Sequence, residues 1–196
     1  MEISPLQDPI ELFGEWMKAA SQSELNDPDA AALATVGKDG QPSVRMILFR
    51  NVDKKGFYFY TNMKSRKGRE LTDNPRAAIC FHWKSLLRQV RVEGKVESVP
   101  APIVDAYFKT RYLLNRLSAW ASRQSEPLSS RNELEDRVRE YELKFQGQEV
   151  PLPPHWVGYC VVPEKIEFWE QSKGRLHDRF LFTKTGHDWS MCRLNP

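Results

Sequence analysis

Between Ile166 and Arg179 the chain gathers side chains suited to an anionic aromatic ligand. Trp169 offers a stacking face, Arg175 and Arg179 offer planar guanidinium forks, and His177 changes protonation near neutral pH. A polar edge strand is the plainer alternative. A second such group is Tyr60-Thr61-Asn62-Met63-Lys64-Ser65-Arg66-Lys67. Here a strand ends, Ser65 is placed to cap a short helix running to the Asn74-Pro75 stop, and Arg66 and Lys67 fall in its first turn. Cations there oppose the helix macrodipole at about 0.3–1 kcal/mol per charge. A phosphate held by free backbone N–H groups and the basic side chains would turn that conflict into a site. The alternative is a solvated basic turn.

The elements that must position these groups are legible from period and punctuation. Asp8-Pro9-Ile10-Glu11 reads as a helix start with Asp at the N-cap, Pro at the first position and Glu three residues after the cap, followed by an apolar stripe of Ile10, Phe13, Met17 and Ala20. From Ala31 an apolar run enters a hairpin at Lys38-Asp39-Gly40 and returns along Val44 to Phe49. Strands are expected at Gly56–Thr61, Arg76–Trp83 and Arg88–Glu97. The last alternates, with Val90, Val92 and Val96 on one face and Gln89, Arg91, Glu93 and Lys95 on the other. Helices follow at Ala101–Arg111 and, from a Ser130-x-x-Glu133 capping box, along Leu134, Val138, Tyr141 and Phe145. Beyond the Pro-rich connector Gln148–Pro154, strands are expected at Val157–Val162, Lys165–Trp169, Asp178–Phe182 and Trp189–Arg193, with a turn at Lys184–His187. Strands that outnumber helices without βαβ alternation point to an antiparallel barrel with helices outside.

Composition narrows the classes. At 196 residues, 40% hydrophobic and 28% charged, the chain suits one domain over 1–196 with a real core. A net charge of +3 is too small and dispersed for nucleic acid, while 29 Lys and Arg leave cations for phosphate. Cys80, Cys160 and Cys192 are widely spaced and form no Cys-x-x-Cys, which argues against disulfides and zinc. Met1-Glu2-Ile3-Ser4-Pro5 has neither a basic segment before an apolar run nor an amphipathic leader, and no stretch is apolar enough for a bilayer. A cytoplasmic protein without membrane or nucleic-acid partners is expected. Motifs of zinc hydrolases, phosphate-binding Gly-rich loops and serine hydrolases are absent.

The segment from Ile166 to Arg179 closely resembles the C-terminal signature of the pyridoxine (pyridoxamine) 5′-phosphate oxidase family, and the resemblance extends over nearly the whole chain. It implies an FMN-binding split β-barrel, mainly antiparallel with flanking helices. It further implies a homodimer with each FMN held by both chains, and a C-terminal dimerisation and active-site segment at about 150–196. The implied reaction is hydride transfer from C4′ of pyridoxamine or pyridoxine 5′-phosphate to FMN, with O2 as final acceptor and no metal. Tyr60, Thr61, Arg66 and Lys67 match the FMN phosphate clamp, and Arg45, Met46, Ile47 and Leu48 match the strand whose Arg also holds that phosphate. Gln89, Gln124, Ser125, Trp169 and Arg179 match further flavin contacts. Arg175 and His177 match the catalytic residues that face the substrate's pyridine ring. The basic clamp and the C-terminal signature are expected to come from different subunits.

The departures gather at the substrate phosphate. The family motif Tyr-Phe-x-x-Arg-Pro-x-x-Ser-Gln-Ile-Gly-Ala here reads Tyr107-Phe108-Lys109-Thr110-Arg111-Tyr112-Leu113-Leu114-Asn115-Arg116-Leu117-Ser118-Ala119. Tyr107 and Arg111 match, Asn115 and Arg116 replace Ser and Gln, and Arg50 replaces a Lys that reaches the same phosphate. The sequence also shows no counterpart of an Arg-and-Tyr segment that covers the site in longer relatives. Alternatives therefore remain: an FMN oxidoreductase for another anionic aromatic substrate, or a non-catalytic FMN or pyridoxal-phosphate binder.

Overall fold

The structure, a computed structural model, describes residues 3–4 and 6–196; Met1, Glu2 and Pro5, on which part of the reading of the N-terminus rests, lie outside them. Asp8 caps the first helix as its side chain predicts, Oδ1 accepting from the Ile10 N–H at 2.7 Å, and α1 runs Pro9–Ser23. Its buried face is Leu12, Phe13, Trp16 and Ala20, so the expected stripe is rotated; Ile10 and Met17 only flank the core. The hairpin forms as β1 (Ala30–Val36) and β2 (Pro42–Leu48), followed by a two-residue β3 (Asn51–Val52) that periodicity is too short to reveal. Next come β4 (Phe57–Asn62), α2 (Arg66–Asp73), β5 (Arg76–Trp83) and β6 (Arg88–Ser98).

Helices α3 (Ala101–Lys109), α4 (Leu113–Ala121) and α5 (Arg131–Lys144) follow. Helix α4 is not expected from the sequence, because its N-cap, Tyr112, makes no side-chain capping hydrogen bond and no start signal marks it. The Ser130 cap forms, its Oγ accepting from the Glu133 N–H at 3.2 Å, but the Glu133 carboxylate accepts from the Ser129 N–H, so the capping box is not reciprocal. Strands expected at 157–162 and 165–169 are one strand, β7 (Trp156–Glu170). Pro163 does not break it because the register slips there. Gly94 faces Pro163 while Glu93 faces Lys165, leaving Glu164 as the extra residue of a bulge. A Cβ on Gly94 would stand 2.0 Å from the Val162 carbonyl oxygen, so only glycine permits this approach. Strands β8 (Asp178–Thr185) and β9 (Asp188–Arg193) close the chain.

All the pairings are antiparallel. The order is β2-β1-β5-β6-β7-β4-β3, and β7 also pairs with β8, which pairs with β9. This branch at β7 makes the split barrel. One core, rich in Phe, lies between α1 and the sheet, with Phe13 against Phe49, Phe57 and Phe81. A second lies under α3 and α4 around Phe108, Leu117, Trp156 and Cys160. Period-two alternation in β4 divides its side chains between them. Phe57 and Phe59 enter the first core, and Tyr58 and Tyr60 face the second. Among the described residues no helix is long and apolar enough to cross a membrane.

Candidate active site

The end of β4 and the start of α2 form one wall of a cleft of about 350 Å³, and β2, α3 and α4 form the others. Met46, Ile47, Leu48, Arg50, Tyr60, Thr61, Lys67, Tyr107, Arg111, Asn115 and Gln124 all line it. Residues from five separate segments thus converge where the resemblance places cofactor and substrate. Ser65 caps α2 as its type predicts, Oγ accepting from the Gly68 N–H at 3.3 Å. Gly68 is required there, since a Cβ would stand 2.2 Å from the Met63 carbonyl oxygen. The Arg66 N–H donates to Ser125 Oγ at 3.1 Å. Two first-turn N–H groups expected to be free for an anion are therefore already satisfied, and the cleft's remaining donors are chiefly side chains.

Lys67 is buried, and among the described residues its Nζ reaches only Thr61 Oγ1 and Gln124 Oε1, each at 3.4 Å. It has no carboxylate in ion-pair range among the described residues. Burial pushes its pKa down, Arg45 adds to this, and Glu70 opposes it. Arg111 is a second cation lining the cleft. Its guanidinium lies over Trp156 at 4.9 Å, and its Nη1 is buried with no hydrogen-bond partner among the described residues. Burial lowers its pKa, Tyr107 raises it and Arg50 lowers it further. In the same cleft Tyr60 stacks on Tyr107, with centroids 4.1 Å apart, and on Trp156 at 5.4 Å. Two cations without a carboxylate partner among the described residues and flat aromatic faces in one cleft suit a ligand with anionic groups and an aromatic body.

Three expected cleft cations, Arg45, Arg50 and Arg66, are in ion pairs, Arg66 through its Nε to Glu70 Oε1 at 2.8 Å, and neither Arg45 nor Arg66 lines the cleft. Both Nη atoms of Arg45 are used, by Leu33 O, Thr35 Oγ1, Ser43 Oγ and Glu70 Oε2. Arg50 Nη1 pairs with Asp29 Oδ2 at 3.0 Å, so it lines the cleft as half of an ion pair.

The C-terminal residues form a separate group. Gln89, Trp169 and Arg179 lie side by side across β6, β7 and β8 by register. The Trp169 and His177 rings are 4.7 Å apart, and His177 Nδ1 accepts from the Ser172 N–H at 3.2 Å, which puts the proton of the neutral ring on Nε2. Arg179 Nε donates to buried Glu167 at 2.8 Å, and that hydrogen bond holds the Arg179 pKa above its usual value. Arg175 is exposed at the end of a 3-10 turn and has no ion-pair partner among the described residues. Trp169, Arg175 and His177 line a cavity that shares no residue with the cleft.

A family profile described as Pyridoxamine 5′-phosphate oxidase matches residues 17–145, and one described as Pyridoxine 5′-phosphate oxidase C-terminal dimerisation region matches residues 156–196. The chain belongs to the pyridoxine/pyridoxamine 5′-phosphate oxidase family. It is 51% identical over 189 residues to the family's oxidase from Gluconobacter oxydans, covering 96% of this chain and 94% of that protein. It is 52% identical over 191 residues to the one from Rhizobium johnstonii, covering 96% and 93%. Among solved structures, PhzG from Burkholderia lata 383, in complex with tetrahydrophenazine-1-carboxylic acid, is 34% identical with a TM-score of 0.92, covering 98% of this chain and 95% of that one. A pyridoxamine 5′-phosphate oxidase-related, FMN-binding protein from Nostoc punctiforme is 18% identical with a TM-score of 0.76, covering 100% of each, and shares the fold.

Within this family frame, Glu70, Thr35, Ser43, Trp156 and Asp29 are the site's neighbours that sequence reasoning missed. Glu70 had a signal, standing four residues after Arg66 on one helix face. Thr35, Ser43 and Asp29 had none, because strand pairing alone brings them near. Among the described residues no group of three His, Cys, Asp or Glu side chains could hold a metal ion.

Proposed function

We propose that this protein is an FMN-dependent oxidase that converts pyridoxamine and pyridoxine 5′-phosphates to pyridoxal 5′-phosphate, using O2 and releasing H2O2, as a cytoplasmic homodimer. The observation that carries this reading is the pair of uncompensated cations, Lys67 and Arg111, at two places in one aromatic-lined cleft. They match two phosphates, one on the cofactor and one on the substrate. Family membership supports the same assignment, and the donor set fits FMN. Lys67 and Arg66 would hold its phosphate with Arg45 behind them, while Tyr60, Thr61, Gln124, Ser125 and the 45–48 strand would line its length.

FMN, when bound, supplies the two-electron acceptor that no side chain here provides. Arg111, Arg50, Tyr107 and Asn115 hold the substrate phosphate and thereby fix the pyridine ring. Arg175 stabilises charge on that ring as the C4′–H bond breaks, and His177 hydrogen-bonds a ring substituent. Gln89, Trp169 and Arg179 contribute from the flavin side. Those C-terminal residues come to the cleft from the second subunit. Val44, Met46 and Leu48 support this, forming an exposed apolar stripe on the edge strand β2 beside the cleft. We treat 1–196 as one domain whose segment at about 150–196 serves dimerisation and catalysis.

The test is direct. Purified protein should show a flavin spectrum, and pyridoxamine 5′-phosphate under air should yield H2O2 and pyridoxal 5′-phosphate in equal amounts. A second reading, an oxidoreductase acting on another anionic aromatic substrate, is favoured by the Asp29–Arg50 pair and by Arg116 in the substrate-phosphate motif. A flavin-loaded protein that makes no H2O2 from either B6 phosphate would select it.

A further inference from the structure

Glu70 is the residue on which the cofactor end of the cleft converges, although it does not line the cleft. It is buried on α2, and its carboxylate accepts from Thr35 Oγ1 at 2.5 Å, Ser43 Oγ at 2.6 Å, Arg66 Nε at 2.8 Å and Arg45 Nη2 at 3.2 Å. Burial pushes its pKa up, but the hydrogen bonds from Ser43, Thr35, Arg66 and Arg45 prevail and hold it at about 2, so it is an anion at any working pH. The two hydroxyls also accept from Arg45, closing a network between β1, β2 and α2. Oε1 takes Arg66 by its Nε edge. Neither Nη of Arg66 has a partner among the described residues, so the other edge of that fork stays available.

We propose that Glu70 is a positioning residue for the cofactor phosphate, holding Arg66 and Arg45 in register beside Lys67 before any ligand arrives. The inference rests on the reading of Arg66 and Lys67 as the phosphate clamp. Three cations in one corner repel one another, and a single carboxylate lets them share it. A guanidinium already fixed at one edge loses less freedom on binding than a free arginine, which is the advantage of preorganisation.

The proposal and simple electrostatics differ in sign. A carboxylate near a bound phosphate repels it, so on charge alone Glu70→Gln tightens FMN binding and Glu70→Asp leaves it unchanged. Positioning requires both to weaken it, because the amide loses the ionic hydrogen bonds and the shorter acid loses the reach. FMN affinity is measured by flavin fluorescence titration of apoprotein, with circular dichroism confirming the fold. The expected result is a Kd raised at least tenfold by Glu70→Gln and at least threefold by Glu70→Asp. In an Arg66→Ala background Glu70→Gln should cost much less, since its effect passes through Arg66. Equal or tighter binding in both single variants overturns the proposal while leaving the clamp in place, provided Arg66→Ala with Lys67→Ala still weakens FMN. If that double variant binds FMN normally, the clamp reading falls and this proposal with it. Should Glu70→Gln not fold, Glu70→Asp, which keeps the charge, decides alone.

Discussion

The cleft and the C-terminal cluster carry similar residue types in opposite states. In the cleft, Lys67 is buried and Arg111 half-buried, both on regular helices or at their ends, with neighbours that fix them before a ligand binds. In the cluster, Arg175 is exposed on a turn where Gly174 and Arg175 both adopt positive φ, at 66° and 62°. A non-glycine residue held there is strained. Burying an uncompensated cation is costly and persists where an anion repays it, whereas the exposed, strained Arg175 has no ion-pair partner among the described residues to offset its strain. On the proposed reading, the phosphate clamp belongs to one chain, while the cluster's flavin and catalytic contacts come from a second.

The sharpest way to break that comparison is to remove the buried end. Arg66→Ala with Lys67→Ala should weaken FMN binding by about two orders of magnitude or more, since hydrogen bonds to charged groups are worth about 1.5–3 kcal/mol each. Circular dichroism should stay near wild type, and fluorescence titration with unchanged affinity would remove the clamp. At the exposed end the signature should invert. Arg175→Ala should keep the flavin yet slow its anaerobic reduction by pyridoxine 5′-phosphate at least roughly tenfold, equivalent to about 1.4 kcal/mol. Stopped-flow reduction at the wild-type rate would contradict that role.

Acid sensitivity should also separate the two ends. The folded-state pKa of Glu70 lies below its ordinary value, so its contribution to stability is present above about 4.5 and is lost as pH falls towards about 2. Glu70→Gln should flatten that limb of the stability curve, which thermal melts across this range will measure. The smallest effect concerns Arg50. A planar fork paired with Asp29 is a poorer phosphate hook than the point charge of a lysine. Arg50→Lys with Asn115→Ser should lower KM for pyridoxamine 5′-phosphate several-fold, by steady-state kinetics, while leaving FMN affinity alone. An unchanged or higher KM would point to a different substrate.

Most of the fold was legible because its signals are local. The Asp8, Ser65 and Ser130 caps and the alternation of β6 each appear in the structure where a few adjacent residues announce them. What escaped depends on distant partners. Pro163 reads as a strand break until Gly94 supplies the bulge that accommodates it. The rotated face of α1 is set by which phenylalanines the sheet presents to it. The site followed the same division. Its residue types could be read in order, but Arg45 turning to Glu70 and Arg50 to Asp29 are consequences of pairing β1 with β2 and α2.

The claim that each site is built from the cleft of one chain and the C-terminal cluster of another is tested most directly by complementation. The clamp variant, Arg66→Ala with Lys67→Ala, and Arg175→Ala should each be nearly inactive alone. If they are unfolded and refolded together, half the dimers are mixed and half the sites in those are intact, so activity should return to about a quarter of wild type by random pairing. A mixture no more active than its components would mean that both groups serve a site within one chain, and would contradict the account.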